Sequence, residues 1–198
     1  MHSSFSYYQI YKPYKMLSQF VPIPKKRTLS DLEFSFVEGT NALGRLDDNS
    51  EGLLLLTNDK KVNRLLMNPE NKHQRVYWVQ VHGEVNQGAL DHLSSGVDIK
   101  LEKSIYRTLP CEAKIIASPS CLPQRAHPVG THFKTTWLEL KLIEGKFHQI
   151  RKMTDKVGHQ TMRLIRVSIE DISLNNWVPG SVQVITEDTF YNKLRLNN

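Results

Sequence analysis

Two cysteines, Cys111 and Cys121, are all that the 198 residues contain, and they have neither a metal-type spacing nor enough company for a disulfide framework. Both read as packing residues. No apolar run approaches the roughly 20 residues that cross a bilayer, and the N-terminus MHSSFSYYQIYKPYK lacks a continuous signal-peptide core. These absences predict a cytoplasmic protein with no membrane contact. Glycine (10) and proline (9) are few and scattered, which excludes a fibrous repeat and a disordered chain. Acidic residues are outnumbered, 20 against 26 Lys and Arg, giving a net charge of +6. The remaining composition, 39% hydrophobic and 23% charged, fits one large domain or two small lobes sharing a core.

The excess charge is local. Between Arg125 and Arg166 there are nine Lys or Arg (125, 134, 141, 146, 151, 152, 156, 163, 166) against Glu139, Glu144 and Asp155, so this window carries the whole surplus. It also holds four of the eight histidines. A polyanion is the natural partner, with phosphate contacts that weaken steeply as salt rises.

Local patterns give an element order. Phe5 to Tyr11 is aromatic and apolar enough for a strand ended by Pro13, and Val21 to Thr28, with two prolines and three successive cations, reads as a surface loop. Ser30 and Glu33 offer a capping box for a short helix. The run GLLLLT, Gly52 to Thr57, reads as a strand buried on both faces, and Asn58 as the cap of a helix towards Asn68 and Pro69. Val76 to Gly83 predicts a strand, and Asn86 to Gly96 a capped helix with Leu90 and Leu93 inward. Trp137 to Ile143 alternates as a half-buried strand, and Lys146 to Val157 has Ile150, Met153 and Val157 at helical spacing before Gly158. Without a regular βαβ rhythm, the class is α+β.

The segment from Gly44 to Asp59, GRLDDNSEGLLLLTND, resembles the signature of the pseudouridine synthases that modify ribosomal RNA. YKPYKMLSQF, Arg75-Val76-Tyr77, EGKFHQIRKM from Glu144 to Met153, and Arg163-Leu164-Ile165-Arg166 follow the family's order. The resemblance implies two α+β lobes that share a mixed, mainly antiparallel sheet, with a central basic cleft and the catalytic Asp on a loop in it. The whole chain, 1–198, is then a single catalytic domain, with no room for the small N-terminal RNA-binding domain of many relatives. It implies a uridine of large-subunit ribosomal RNA as target, a monomer, no obligatory protein partner and no cofactor or metal. Lys60 and Glu170 depart from glycines that relatives carry, which should alter turns and not chemistry. Arg75 replaces the usual Lys, keeping the charge but not its geometry.

The reaction needs a carboxylate beside the sugar, either to attack the anomeric carbon or to remove a neighbouring proton, and Asp47 matches the family's position for it. Taken alone, a loop Asp before a buried strand is a turn or cap residue. The resemblance gives Tyr77 the role of stacking on the extruded base, against a plain core tyrosine. It gives Arg151 the role of pairing with the catalytic Asp, against a surface helix arginine. Arg45 would contact phosphate or fill the space of the flipped base, and Lys146, His148, Lys152, Arg163 and Arg166 would bind RNA. Competing readings are a noncatalytic RNA-binding or ribosome-assembly protein, a base-excising glycosylase, and a zinc hydrolase using His127, His132 and His148 without an HExxH motif.

Overall fold

The apolar run GLLLLT becomes the strand around which the N-terminal part of the chain is built. A computed structural model describes residues 5–68, 71–125, 129 and 132–196. In chain order its elements are β1 (Tyr7–Lys12), β2 (Asn41–Ala42), β3 (Glu51–Thr57), α1 (Lys60–Met67), β4 (Arg75–His82), α2 (Gln87–Ser95), β5 (Asp98–Lys100), β6 (Ile105–Arg107), β7 (Glu112–Ile116) and β8 (Thr135–Leu142). Then come α3 (Gln149–Lys156), β9 (Thr161–Ile169), β10 (Ile172–Ser173), β11 (Val182–Ile185) and α4 (Glu187–Lys193). The class is α+β, and every strand pairing with a described register is antiparallel. The chain divides into two units, Met1–His73 with Arg166–Asn198, and Gln74–Ile165.

In the first unit β1 lies between β11 and β3, with Tyr7 opposite Thr57 and Lys12 opposite Gly52. All six residues of β1 and all seven of β3 are buried, which is why neither strand alternates in polarity. Tyr7, Tyr11, Leu53 and Leu55 share a core with Val62 and Leu66 of α1, Phe190 of α4 and Leu194 just after it. Each buried leucine contributes roughly 1.5–3 kcal/mol. In the second unit β8 pairs with β4 and β7, and α2 packs on β7 while α3 packs on β5. Leu138, Leu140 and Leu142 are buried on one face of β8.

Several local expectations shift. The first strand starts later, at Tyr7, and ends at Lys12, just before Pro13, as expected. The capping box forms at Thr28 and Asp31, where the Asp31 carboxylate accepts the Thr28 N–H at 2.6 Å; only a 3-10 turn results, and the Ser30 hydroxyl bonds Phe20 O instead. Asp59, not Asn58, caps α1 by accepting from Lys61 N at 2.9 Å, since Asn58 accepts from Ser6 N. The helix ends at Met67 with Asn68 as its C-cap, where the sequence placed its end. Asn86 and Gly96 bracket α2 as expected. Helix α3 begins at Gln149, three residues late, because His148 stands in the left-handed region at φ 54. Cys111 is half-buried and donates to Leu93 O, but Cys121 is exposed and packs no core. Glu170, at φ 46, does sit in a turn, between β9 and β10. No helix among the described residues is long and apolar enough to cross a membrane.

Candidate active site

Asp47 lies half-buried in the first unit, on the loop that leads into β3. Gly44 (φ 71) and Gly52 (φ 100) bracket that loop with backbone angles that a side chain would strain. Between them Asp47 O accepts the N–H of Ser50 at 3.0 Å and closes a turn. The residue before it is clamped: buried Ser18 accepts from Leu46 N at 3.0 Å and donates to Leu46 O at 2.9 Å. The residue after it is held too, as Lys15 N donates to Asp48 O and Lys26 Nζ lies 3.1 Å from Asp48 Oδ2. Burial alone would raise the Asp48 carboxyl, but the Lys26 hydrogen bond and the charges of Lys26, Lys15 and Lys12 hold it below the usual range. Arg45 is exposed.

Beneath this loop Lys12 is wholly buried at the end of β1. Its ammonium donates to Pro13 O at 2.9 Å and Met16 O at 2.7 Å. Burial pulls its pKa down to about 7, against the carboxylates of Asp48, Glu51 and Asp47, which raise it. Sequence reasoning used Lys12 and Ser18 only as letters of a motif. Nothing in their spacing told which carbonyls and amides they would meet.

In the second unit Tyr77 is buried on β4, opposite Leu140 of β8. Lys146, His148, Arg151 and Lys152 come together at the start of α3. Arg151 is half-buried in the helix's first turn, not one turn in, because the helix starts at Gln149. The start is tied down by Glu144, whose carboxylate accepts from Tyr106 Oη, Leu109 N and Gln149 Nε2 at 2.5, 2.8 and 2.7 Å. The hydrogen bond to Glu144 and burial push the Tyr106 phenol up to about 12. Phe147 is 64% exposed, stacks on His148 with centroids 3.9 Å apart, and has Lys152 Nζ 5.2 Å from its centroid. Such an aromatic beside cations suits stacking on bases next to phosphates. Within EGKFHQIRKM nothing in the sequence alone marks Phe147 or Glu144.

Arg163 and Arg166, expected to bind RNA, lie mostly out of solvent in this structure. They are 8% and 4% exposed, with Arg163 Nη2 donating to Pro123 O and Arg166 Nε to Leu53 O at 3.1 and 2.8 Å. For the zinc reading, His132 is exposed and His127 lies outside the described residues. Among the described residues no cluster of three His, Cys, Asp or Glu could hold a metal ion.

The α+β chain thus holds an aspartate on a braced loop of its first unit and, in its second, an arginine and an aromatic at a helix start. The family described as RNA pseudouridylate synthase matches residues 6–156, and the chain belongs to it. The ribosomal large subunit pseudouridine synthase E of Vibrio parahaemolyticus is 40% identical, covering 85% of this chain and 69% of its own. That of Xanthomonas campestris is 41% identical, covering 87% and 91%. A solved pseudouridylate synthase, 21% identical, covers 96% of this chain and 74% of its own with a TM-score of 0.78. Human RNA pseudouridylate synthase domain containing 1, 14% identical, covers 96% and 91% at 0.59. These two structures share the fold.

Proposed function

We propose that this protein isomerises one uridine of large-subunit ribosomal RNA to pseudouridine, as a cytoplasmic monomer without an obligatory protein partner, with Asp47 as its catalytic carboxylate. The observation that carries the reading is the bracing of Asp47: Ser18, Lys15 and the turn to Ser50 fix the backbone on both sides of a half-buried carboxylate. Such bracing suits a reacting group held at one place, since small misplacements cost rate steeply. The relatives named for large-subunit ribosomal RNA support the substrate.

In the reaction the N1–C1′ bond breaks and a C5–C1′ bond forms; C5 gives up its proton, N1 takes one, and no atom is gained or lost. Asp47 serves either as nucleophile at C1′ or as the base that takes the C2′ proton. The uridine must first leave its stack, at roughly a few kcal/mol, offset by contacts in the site. Tyr77 is assigned to the extruded base and Arg151 to keeping the reacting carboxylate ionised. Arg45, Lys146, His148 and Lys152 are assigned to the RNA backbone. Asp47→Asn keeps the shape and loses the charge. It should abolish pseudouridine formation in ribosomal RNA lacking the modification, with RNA affinity and thermal midpoint nearly those of the wild type. Substantial turnover by the variant would refute the assignment. Abasic sites in place of pseudouridine would identify a glycosylase instead.

A further inference from the structure

The loop between Met16 and Leu29, whose ends meet in a parallel bridge of Met16 with Arg27, has no part in the chemistry above. All seven residues from Val21 to Arg27 are exposed. Among them Val21 is 69% and Ile23 42% exposed, beside three successive cations, Lys25, Lys26 and Arg27. The segment is nonetheless ordered by hydrogen bonds. Leu17 N donates to Arg27 O, Leu29 N to Gln19 O, and Lys26 N to Ile23 O, at 2.8, 2.8 and 3.1 Å. Lys25 turns the tip at φ 62, Pro22 and Pro24 restrict the approach, and Phe20 anchors the base against Phe36 with centroids 5.2 Å apart. Lys26 reaches back to Asp48, the neighbour of Asp47. Like charges held side by side repel, and exposed apolar side chains gain nothing from water. An anionic partner with flat apolar faces would satisfy both groups at once, and a single strand of RNA has that chemistry.

We propose that Val21 to Arg27 is an RNA-docking finger: Lys25 and Arg27 bind phosphates of the strand flanking the target uridine, and Val21 and Ile23 lie against an unstacked base or its sugar. Lys26 is committed to Asp48 and ties the finger to the loop of Asp47. The inference rests on structured RNA being the substrate.

The test compares affinity for a ribosomal RNA fragment across a salt series, and KM and kcat for pseudouridine formation, in three paired variants. Lys25→Gln with Arg27→Gln keeps Lys26. It should make the plot of log affinity against log salt shallower by about 1.4–1.8, at roughly 0.7–0.9 per phosphate, and raise KM about tenfold, far more than it lowers kcat. Val21→Ser with Ile23→Ser should raise KM and leave the slope alone. Lys60→Gln with Arg64→Gln removes two exposed cations of α1 and should match the wild type throughout. The finger is overturned if the Lys25 and Arg27 pair keeps the wild-type slope, or if the α1 pair loses as much. A wild-type KM in the serine pair would overturn its apolar half. If the wild-type protein forms no pseudouridine, the assigned function falls, while the slopes still decide the finger.

Discussion

Ser18 and Lys12 are the residues whose work is least visible in the sequence, because each acts on backbone groups that only the fold brings near. Ser18 spends donor and acceptor on Leu46, 28 positions away. Ser18→Ala leaves that amide and carbonyl unmet in a buried place, costing roughly 1–3 kcal/mol. It also loosens the residue before Asp47, so kcat should fall about 10- to 100-fold with KM little changed. Ser18→Thr keeps the hydroxyl and should recover most of the rate; failure to do so would make the loss a packing effect. Lys12 gives a pH signature. Its folded pKa, about 7, lies below the ordinary 10.5, so between those values the unfolded chain binds the extra proton and stability rises with pH. Below pH 7 both states are protonated and the slope vanishes. The stability of the wild type minus that of Lys12→Met should therefore be flat below pH 7. From pH 7 to 9 it should grow by up to ~1.4 kcal/mol per pH unit, as measured by denaturant unfolding. A flat difference throughout would mean that Lys12 is not desolvated.

At the scale of elements, Glu144 governs how α3 begins. One carboxylate meets three donors from three parts of the second unit: Tyr106, Leu109 and Gln149. Glu144→Ala should cost about 2–4 kcal/mol and reduce kcat by displacing the turn that carries Arg151. The Tyr106 phenol, now near 12, should fall back towards its ordinary value, which NMR titration of labelled tyrosine would show. An unmoved titration would remove Glu144 from this role. What was legible was whatever a local pattern decides alone. GLLLLT is of the kind that forms a strand buried on both faces, and Asn86 to Gly96 carries both its caps. The short strands β5, β6 and β10 have two or three residues each, too few for periodicity to show. Edge strand β11 is half-buried to exposed along its length and has no clear inward face. β9 went unseen because its two arginines suggested phosphate contacts. A buried arginine is legible only with its acceptors, and those lie at Pro123 and Leu53. Asp47 was legible through a motif of sixteen residues, but its bracing by Ser18 was not.

For the whole molecule, the charge that pointed to RNA has to be counted again by side chain. Of the nine cations between Arg125 and Arg166, Arg163 and Arg166 are buried. Lys134 is paired with Glu84 and Lys141 with Glu112, both at 2.8 Å. Exposed Lys146 and Lys156 and half-buried Lys152 remain for phosphate, with Arg125 and Arg151 also half-buried. The first unit adds Arg45 and, through the finger, Lys25 and Arg27. Long-range attraction follows the net charge and speeds encounter, but the salt slope follows the phosphates neutralised. With about six contacts, log affinity should fall against log salt with a slope of roughly −4 to −5, at 0.7–0.9 per phosphate. All nine window cations plus those three would give roughly −8 to −11. Filter binding between 50 and 300 mM salt separates the two ranges. A slope near the steeper range would mean that Arg163 and Arg166 leave their carbonyls when RNA binds. Arg163→Met and Arg166→Met would then each lower the slope. If those arginines stay buried, the same variants should lower thermal stability and leave the slope unchanged.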